Sequence, residues 1–169
     1  KNYISPSFNT ISASGPNGAM PHYKVNNKTN RKIKINDIYL CDSGGQYHYG
    51  TTDVTRTICF CKQSQRIKNI FTKVLKGHIG VATYKLKKNT TGKQLDIVAR
   101  SALKKSGLDY AHGTGHGVGY FLNVHEGPQA ISKINNVRLE EGMILSNEPG
   151  YYESNKFGIR IENLIFIKK

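Results

Sequence analysis

The sequence predicts an α+β domain in which a curved antiparallel sheet is flanked by helices, and three observations carry that expectation. Two strand-like runs, residues 33–40 and 51–60, lie close enough to pair as a hairpin around Asp42-Ser43-Gly44-Gly45. Two amphipathic helical patterns follow, over about residues 63–84 and 91–107. Strand-like runs then return near residues 120–125, 143–147 and 158–167. With 169 residues, 37% of them hydrophobic, the chain is large enough to bury a core as one globular domain.

Each element has a local reason. Residues 1–23 are rich in Ser, Asn, Gly and Pro and predict loop with short extended pieces. From Ile33 to Leu40 apolar and polar residues alternate, the period of a half-buried strand. The run from Thr51 to Phe60 is rich in Thr, Val and Ile, which suit a pleated surface. Ile67, Ile70, Phe71, Val74, Leu75 and Ile79 recur at helical spacing, with Gly77 and Gly80 weakening the second half of that helix. Thr91 and Gln94 make a capping box. Leu95, Val98, Ala102 and Leu103 then line one face, and Gly107 supplies the stop. Gly113 to Gly119 reads as a glycine-rich turn, and no repeat or low-complexity segment is visible.

The net charge of +14, from 25 basic and 11 acidic residues, by itself suggests a polyanionic partner. The lysines are scattered, however, and no basic helix is interleaved with aromatics, so no nucleic-acid partner is expected. The densest basic stretch, residues 24–34, is diluted by Asn and Thr and reads as a solvated loop. No apolar run approaches the ~20 residues of a membrane span, so no membrane partner is expected. Lys1 to Pro6 has no signal-peptide core, and the missing initiator Met suits a piece of a longer protein. Cys41, Cys59 and Cys61 form no CxxC pair; reduced thiols and a cytoplasmic location are expected. Cys59 and Cys61, two apart, would share one strand face as small core residues.

With so few acidic residues, their placement is informative. Asp42 ends one strand of the hairpin and Asp53 lies in the other, 11 residues on. The plain alternative for Asp42 is a turn cap before Ser-Gly. Asp53 suits that role poorly, because Asp is disfavoured in strands. Carboxylates brought side by side repel and raise each other's pKa unless a cation lies between them. In Gly158-Ile159-Arg160-Ile161-Glu162-Asn163, Arg160 and Glu162 share one strand face and the isoleucines the other. Glu148 ends the strand before it. His112 and His116 have the four-residue spacing of a helical zinc motif, but the glycines around them argue against a helix. His22 and His125 also stand in loop or strand-end contexts. The four carboxylates balance two divalent cations, and oxygen-rich ligation with one imidazole suits Mn, Co or Zn. Two such ions can bind and deprotonate a bridging water.

These residues stand in motifs that resemble aminopeptidase P, the Xaa-Pro aminopeptidases, in its large multi-domain cytosolic-type subfamily of peptidase family M24. The matching segments are Gly15-Pro16-Asn17-Gly18-Ala19 to His22-Tyr23, Asp42-Ser43-Gly44 with Gly50 to Thr57, Gly113 to Gly119 with Leu122 to Pro128, Glu148 to Tyr152, and Gly158 to Asn163. They occur in the family's order and span nearly the whole chain. Met20-Pro21 and Ala111 depart from the usual wording without touching a ligand.

The resemblance implies a pita-bread fold, here a partial catalytic domain over residues 1–169 without the family's upstream domains and incomplete at both ends. It implies a dinuclear site held by Asp42, Asp53, His116, Glu148 and Glu162. Asp53 and Glu162 would bridge the two ions, Asp42 would hold one, and His116 and Glu148 the other. Manganese is the usual metal, with Co2+ or Zn2+ as alternatives. His22, His112 and His125 would bind substrate and move protons, Glu148 would also act as the catalytic base, and Arg160 would steady the ligand shell from beside Glu162. The implied substrates are peptides with proline second, and a homodimer is among the expected assemblies. Two other readings accompany this one: a proline dipeptidase of the same fold, which would share all five ligands, and a catalytically dead pita-bread binding module, against which the complete ligand set argues.

Overall fold

The computed structural model describes residues 2–121 and 124–168. Three short strands pair across the start of the chain: β1 (Tyr3–Pro6) lies beside β4 (Gly45–Tyr47), which pairs with β5 (Gly50–Thr51). A second sheet has the order β2 (Ile11–Ser14), β3 (Ile38–Ser43), β6 (Val54–Cys59). A 3-10 turn at Gly15–Ala19 follows β2. The expected hairpin is therefore the β3–β6 ladder, with Asp42 opposite Thr55 and β4 and β5 inserted between its arms. The first arm begins later than the alternation suggests. Asp37 accepts a hydrogen bond from the Lys34 amide at 2.8 Å and pairs with Arg31, which turns the chain and leaves Ile33 and Ile35 exposed.

Helix α1 (Gln65–Ala82) starts where the Ser64 hydroxyl accepts from the Ile67 amide. Helix α2 (Gly92–Lys104) starts with the Gln94 side chain accepting from the Thr91 amide at 2.8 Å. It ends at Lys104, and Gly107 three residues on, with a φ of +69°, turns the chain away. Gly77 weakens α1 locally but is required by packing: a Cβ there would overlap the Ala99 carbonyl of α2. The two helices cover one side of the sheets. Ile70, Val74 and Leu103 meet Ile38, Phe157 and Ile159 in one cluster, and Val81, Leu95 and Ala99 meet Ile131 and Leu145 in another. No described helix is long and apolar enough to cross a membrane.

After the helices comes a four-stranded sheet of order β12 (Asn163–Phe166), β9 (Ile144–Asn147), β7 (Gly115–Gly117), β8 (Glu126–Ile131). The hairpin β10 (Gly150–Glu153) and β11 (Phe157–Arg160) stands between β9 and β12 in sequence. All described pairings are antiparallel. Three expectations need correction. The strand expected near residues 120–125 is not formed at Tyr120, Phe121, Val124 or His125; Leu122 and Asn123 lie outside the described residues, and the strand that pairs with β7 begins at Glu126. The long last strand is two strands in different sheets, because Phe157–Arg160 pairs with β10 whereas Asn163–Phe166 pairs with β9. The cysteines are not core residues: β6 is an edge strand, so Cys59 is exposed, and Cys41 and Cys61 are only half-buried.

Candidate metal centre

Sheet parity and chain crossings bring the acidic side chains inward. The buried face of β3 runs Ile38, Leu40, Asp42, so the Asp42 carboxylate extends an apolar row into the interior rather than capping a turn. Asp53 is buried one residue before β6. His116 is the middle residue of β7, and Glu148 follows β9. Glu162 lies in the crossing between β11 and β12 and is 1% exposed. Gly115 allows the close approach of β7 to β9, since a Cβ there would overlap the Ser146 carbonyl.

These residues converge on one cleft of about 660 Å³, lined by Asp42, Asp53, His116, Glu148 and Glu162 together with His22 and His125. Ligand atoms of Asp53, His116 and Glu162 lie within 4.8 Å of one another. His116 Nε2 stands 3.3 Å from Asp53 Oδ2 and 3.5 Å from Glu148 Oε1. The His125 ring centroid is 4.1 Å from that of His116. No helix carries His112 or His116, as the glycines predict.

Behind the cleft, Arg160 donates to Asp42 Oδ2 at 2.6 Å, to Thr55 Oγ1 at 3.1 Å, to the Tyr152 hydroxyl at 2.8 Å and to the Pro21 carbonyl at 3.2 Å. Thr55 in turn donates to Glu162 Oε2 at 2.5 Å. Arg160 therefore reaches the acidic cluster through Asp42 and Thr55, and the chain crossing after it separates its face from that of Glu162. His112 stands outside the cleft lining. Its Nδ1 donates to the Gly113 carbonyl, which leaves Nε2 to accept from Tyr152 at 2.8 Å.

Electrostatically the cluster is strained without a cation. Burial, then repulsion from Glu148, Asp53 and Asp42, pushes Glu162 up to about 10. Burial also pushes Glu148 up to about 7, against the pull of His116 and Arg160. Asp42 is raised by burial despite Arg160. Burial opposes a charge on His116, but the hydrogen bond from its ring to Asp53 and the nearby carboxylates outweigh it and raise its pKa. His112 is lowered to about 4, chiefly by burial, and is neutral at pH 7. Asp42 Oδ1 is buried with no hydrogen-bond partner. An unpaired buried carboxylate oxygen facing other carboxylates is a cation ligand in waiting, and this donor set fits hard or borderline divalent ions.

Several supporting residues lie outside the motif reading's role assignments. Thr55 is fully buried between Arg160 and Glu162. The Ser146 hydroxyl accepts from the His116 amide and donates to Glu148 Oε1, both at 3.0 Å. His78 of α1 bonds the Asn147 carbonyl at 3.0 Å and contacts Asn163 at 3.3 Å, so it pins the neighbours of Glu148 and Glu162. Thr55 is two after Asp53 and Ser146 two before Glu148, but that spacing names no acceptor.

Comparisons with known proteins agree with this geometry. The model of metallopeptidase family M24 matches residues 1–169. A probable Xaa-Pro aminopeptidase P of Phaeosphaeria nodorum is 54% identical over 170 residues, covering 99% of this chain and 26% of the relative. Xaa-Pro aminopeptidase 1 of Dictyostelium discoideum is 52% identical over 168 residues, covering 98% and 27%. The chain thus spans about a quarter of the length of these curated relatives. Among solved structures, the X-prolyl aminopeptidase of Caenorhabditis elegans, described as a cytosolic enzyme with a di-nuclear active site, superposes with a TM-score of 0.92 at 47% identity over 97% of this chain and 27% of that one. The prolidase of Pyrococcus furiosus gives 0.89 at 32% identity over 99% and 48%. The expected α+β pita-bread fold is the one the chain adopts.

Proposed function

The chain belongs to metallopeptidase family M24, and from that membership we propose that it is the catalytic part of an Xaa-Pro aminopeptidase, which hydrolyses the N-terminal residue from peptides with proline second. Residues 1–169 form one catalytic domain segment of a longer, multi-domain protein in this reading. The observation that carries it is the convergence of four carboxylates and the His116 imidazole on one cleft, with Asp42 Oδ1 left unpaired.

Asp42, Asp53, His116, Glu148 and Glu162 would hold two divalent ions, preferentially Mn2+. When bound, the ions supply a deprotonated water and polarise the scissile carbonyl. Glu148, buried in the cleft beside His116, is placed to take the water's proton and return it to the leaving imino nitrogen. His125, beside His116, offers a hydrogen bond to the oxygen that gains charge. His22 offers a second from the same cleft wall. Arg160 favours the charge on Asp42 against burial and aims its carboxylate, and also fixes the Pro21 carbonyl just before His22. His112 steadies Tyr152 and acts on the site through it. Phe8, Ile11, Val25 and Val124 give the cleft an apolar wall suited to a pyrrolidine ring.

A cytoplasmic location is supported by three free cysteines and by the cytosolic description of the C. elegans enzyme. A homodimer is the proposed assembly. Proline dipeptidase is the second reading, supported by the shared fold of the P. furiosus prolidase. The test is hydrolysis of an Arg-Pro-Pro peptide against the dipeptide Ala-Pro by the intact protein, metal-free and with Mn2+. Mn2+-dependent release of the first residue from the longer peptide is expected. A preference for Ala-Pro moves the reading to the dipeptidase, and absence of metal binding ends both.

A further inference from the structure

Helix α2 carries a buried ionic cluster outside the cleft. Asp96 and Arg100, one helical turn apart, are each 1% exposed. Arg100 donates to Asp96 Oδ2 at 2.7 Å, to Asp109 Oδ1 at 2.6 Å, and to the carbonyls of Tyr110 and His112 at 2.7 Å each. Its guanidinium carbon lies 3.9 Å from the Tyr110 ring centroid. The second oxygen of Asp96 accepts from the Thr114 hydroxyl at 2.6 Å, and Tyr110 bonds that same hydroxyl. Nothing in this cluster lines the cleft.

The chain of bonds nevertheless ends there. The Thr114 amide donates to the Ile131 carbonyl at 2.7 Å, and the Thr114 carbonyl accepts from the Glu148 amide at 2.8 Å. His116 follows two residues later. One side chain therefore fixes the backbone of β7 at the point that sets the separation between His116 and Glu148. Ser146 bridges the same two residues from the other side. A buried ion pair is weak evidence for stability, since apolar replacements of similar volume often serve as well. What a fully bonded ionic cluster adds is a fixed geometry.

We propose that the Asp96–Arg100–Thr114 clamp is a positioning device that holds His116 and Glu148 at metal-binding separation. The proposal rests on the metal-site reading above. Thr114→Val removes the hydroxyl at nearly constant volume, and Thr114→Ser keeps it. The test is calorimetric titration of Mn2+ into chelator-stripped intact protein, with circular dichroism to confirm the fold. Thr114→Val is expected to lose about 10- to 100-fold in Mn2+ affinity, the usual cost of losing an outer-shell partner, while Thr114→Ser stays near wild type. Wild-type affinity in a folded Thr114→Val overturns the clamp, as does an equal loss in Thr114→Ser, which would show that keeping the hydroxyl does not keep the geometry. If Thr114→Val does not fold, Asp96→Asn is titrated instead with the same expectation. If neither folds, the cluster is a stability element and the proposal fails. A wild type that binds no Mn2+ overturns the functional reading itself, whereas wild-type binding with an unaffected variant overturns only the clamp.

Discussion

Two acidic clusters, joined through Thr114, solve burial in opposite ways. Around Arg100, Asp96 and Asp109 meet a guanidinium and the protein supplies its own cation. Around the cleft, Asp42, Asp53, Glu148 and Glu162 share one close arginine contact, Arg160 to Asp42, and one histidine. Arg100 and Arg160 are equally well hydrogen-bonded, but Arg160 is spent on a single carboxylate. The first cluster is complete as folded. The second holds more negative charge than its surroundings neutralise, which is the condition of a site built for an external cation. Burial marks both; only the balance of charge separates structure from function.

The comparison breaks most sharply on activity. Glu148→Ala is expected to lower kcat by about 10³-fold while the fold survives, since one general acid–base group contributes on that scale. Steady-state hydrolysis of an Xaa-Pro peptide with saturating Mn2+ checks this. Loss of under tenfold would move the proton-transfer role to His125 or His22.

Stability should show the reverse ranking. Arg100→Met leaves the buried Asp96 carboxylate without its cation and is expected to cost roughly 3 kcal/mol, read as a lowered denaturation midpoint in urea. Glu162→Gln replaces a carboxyl group that the metal-free cleft holds protonated at pH 7, and keeps an acceptor for Thr55. In metal-free protein it is expected to be neutral or stabilising. A Glu162→Gln variant as unstable as Arg100→Met would show that the cleft is balanced without metal.

A third difference is the sign of the pH dependence. Glu148 and Glu162 have folded pKa values of about 7 and 10, above the ordinary 4.5 of Glu, so the folded chain binds protons more tightly than the unfolded one. Their contribution is intact below about 4.5 and is lost as pH rises through 7 and beyond. Asp109 behaves oppositely: burial opposes its charge, but the hydrogen bond from Arg100 and its other partners hold it at about 2, below 3.8. Its contribution is present above 3.8 and is lost as pH falls through 2. Melting temperatures across pH in chelator should therefore decline on the neutral-to-alkaline side. Added Mn2+ should flatten that limb and leave the acid limb unchanged. An alkaline limb unaffected by Mn2+ would detach the carboxylate cluster from metal binding.

How much of this was legible in the sequence differs by scale. Both helices were, because each repeats its apolar spacing over several turns and carries cap residues at its ends. Strands of two to four residues, such as β5, β10 and β2, hold too few periods to register. The break at Ile161–Glu162 was hidden because residues 159–162 alternate and residues 164–167 are an equally strand-like apolar run, while the pairing partner changes from β10 to β9. Partner identity is non-local information. The acids of the cleft were visible because carboxylates within or beside strand-like runs are unusual in a chain with only 11 acidic residues. Thr55 and Ser146 were not, since a buried hydroxyl looks like any surface Thr or Ser until its acceptor is known. The core assignment of Cys59 failed for the same reason: parity gives a face, and only the sheet order shows that β6 is an edge.

The smallest expected effect tests where the Arg100 cluster ends. Lys133 Nζ lies 3.0 Å from Asp109 Oδ2, but its side chain is 53% exposed and that of Asp109 37%, against 2% for Arg100. Solvent screens the outer pair and not the inner one, and exposed ion pairs contribute about 0–1 kcal/mol. Lys133→Ala should therefore move the urea midpoint by less than the Arg100→Met shift by several-fold, and its small effect should fade in high salt. Lys133→Ala as costly as Arg100→Met would mean that Asp109 needs both cations to stay charged, and the cluster would then be less self-sufficient than its hydrogen bonding implies. A negligible effect confines the balance of charge to Arg100, Asp96 and Asp109, the arrangement that the cleft, with its surplus of carboxylates, lacks.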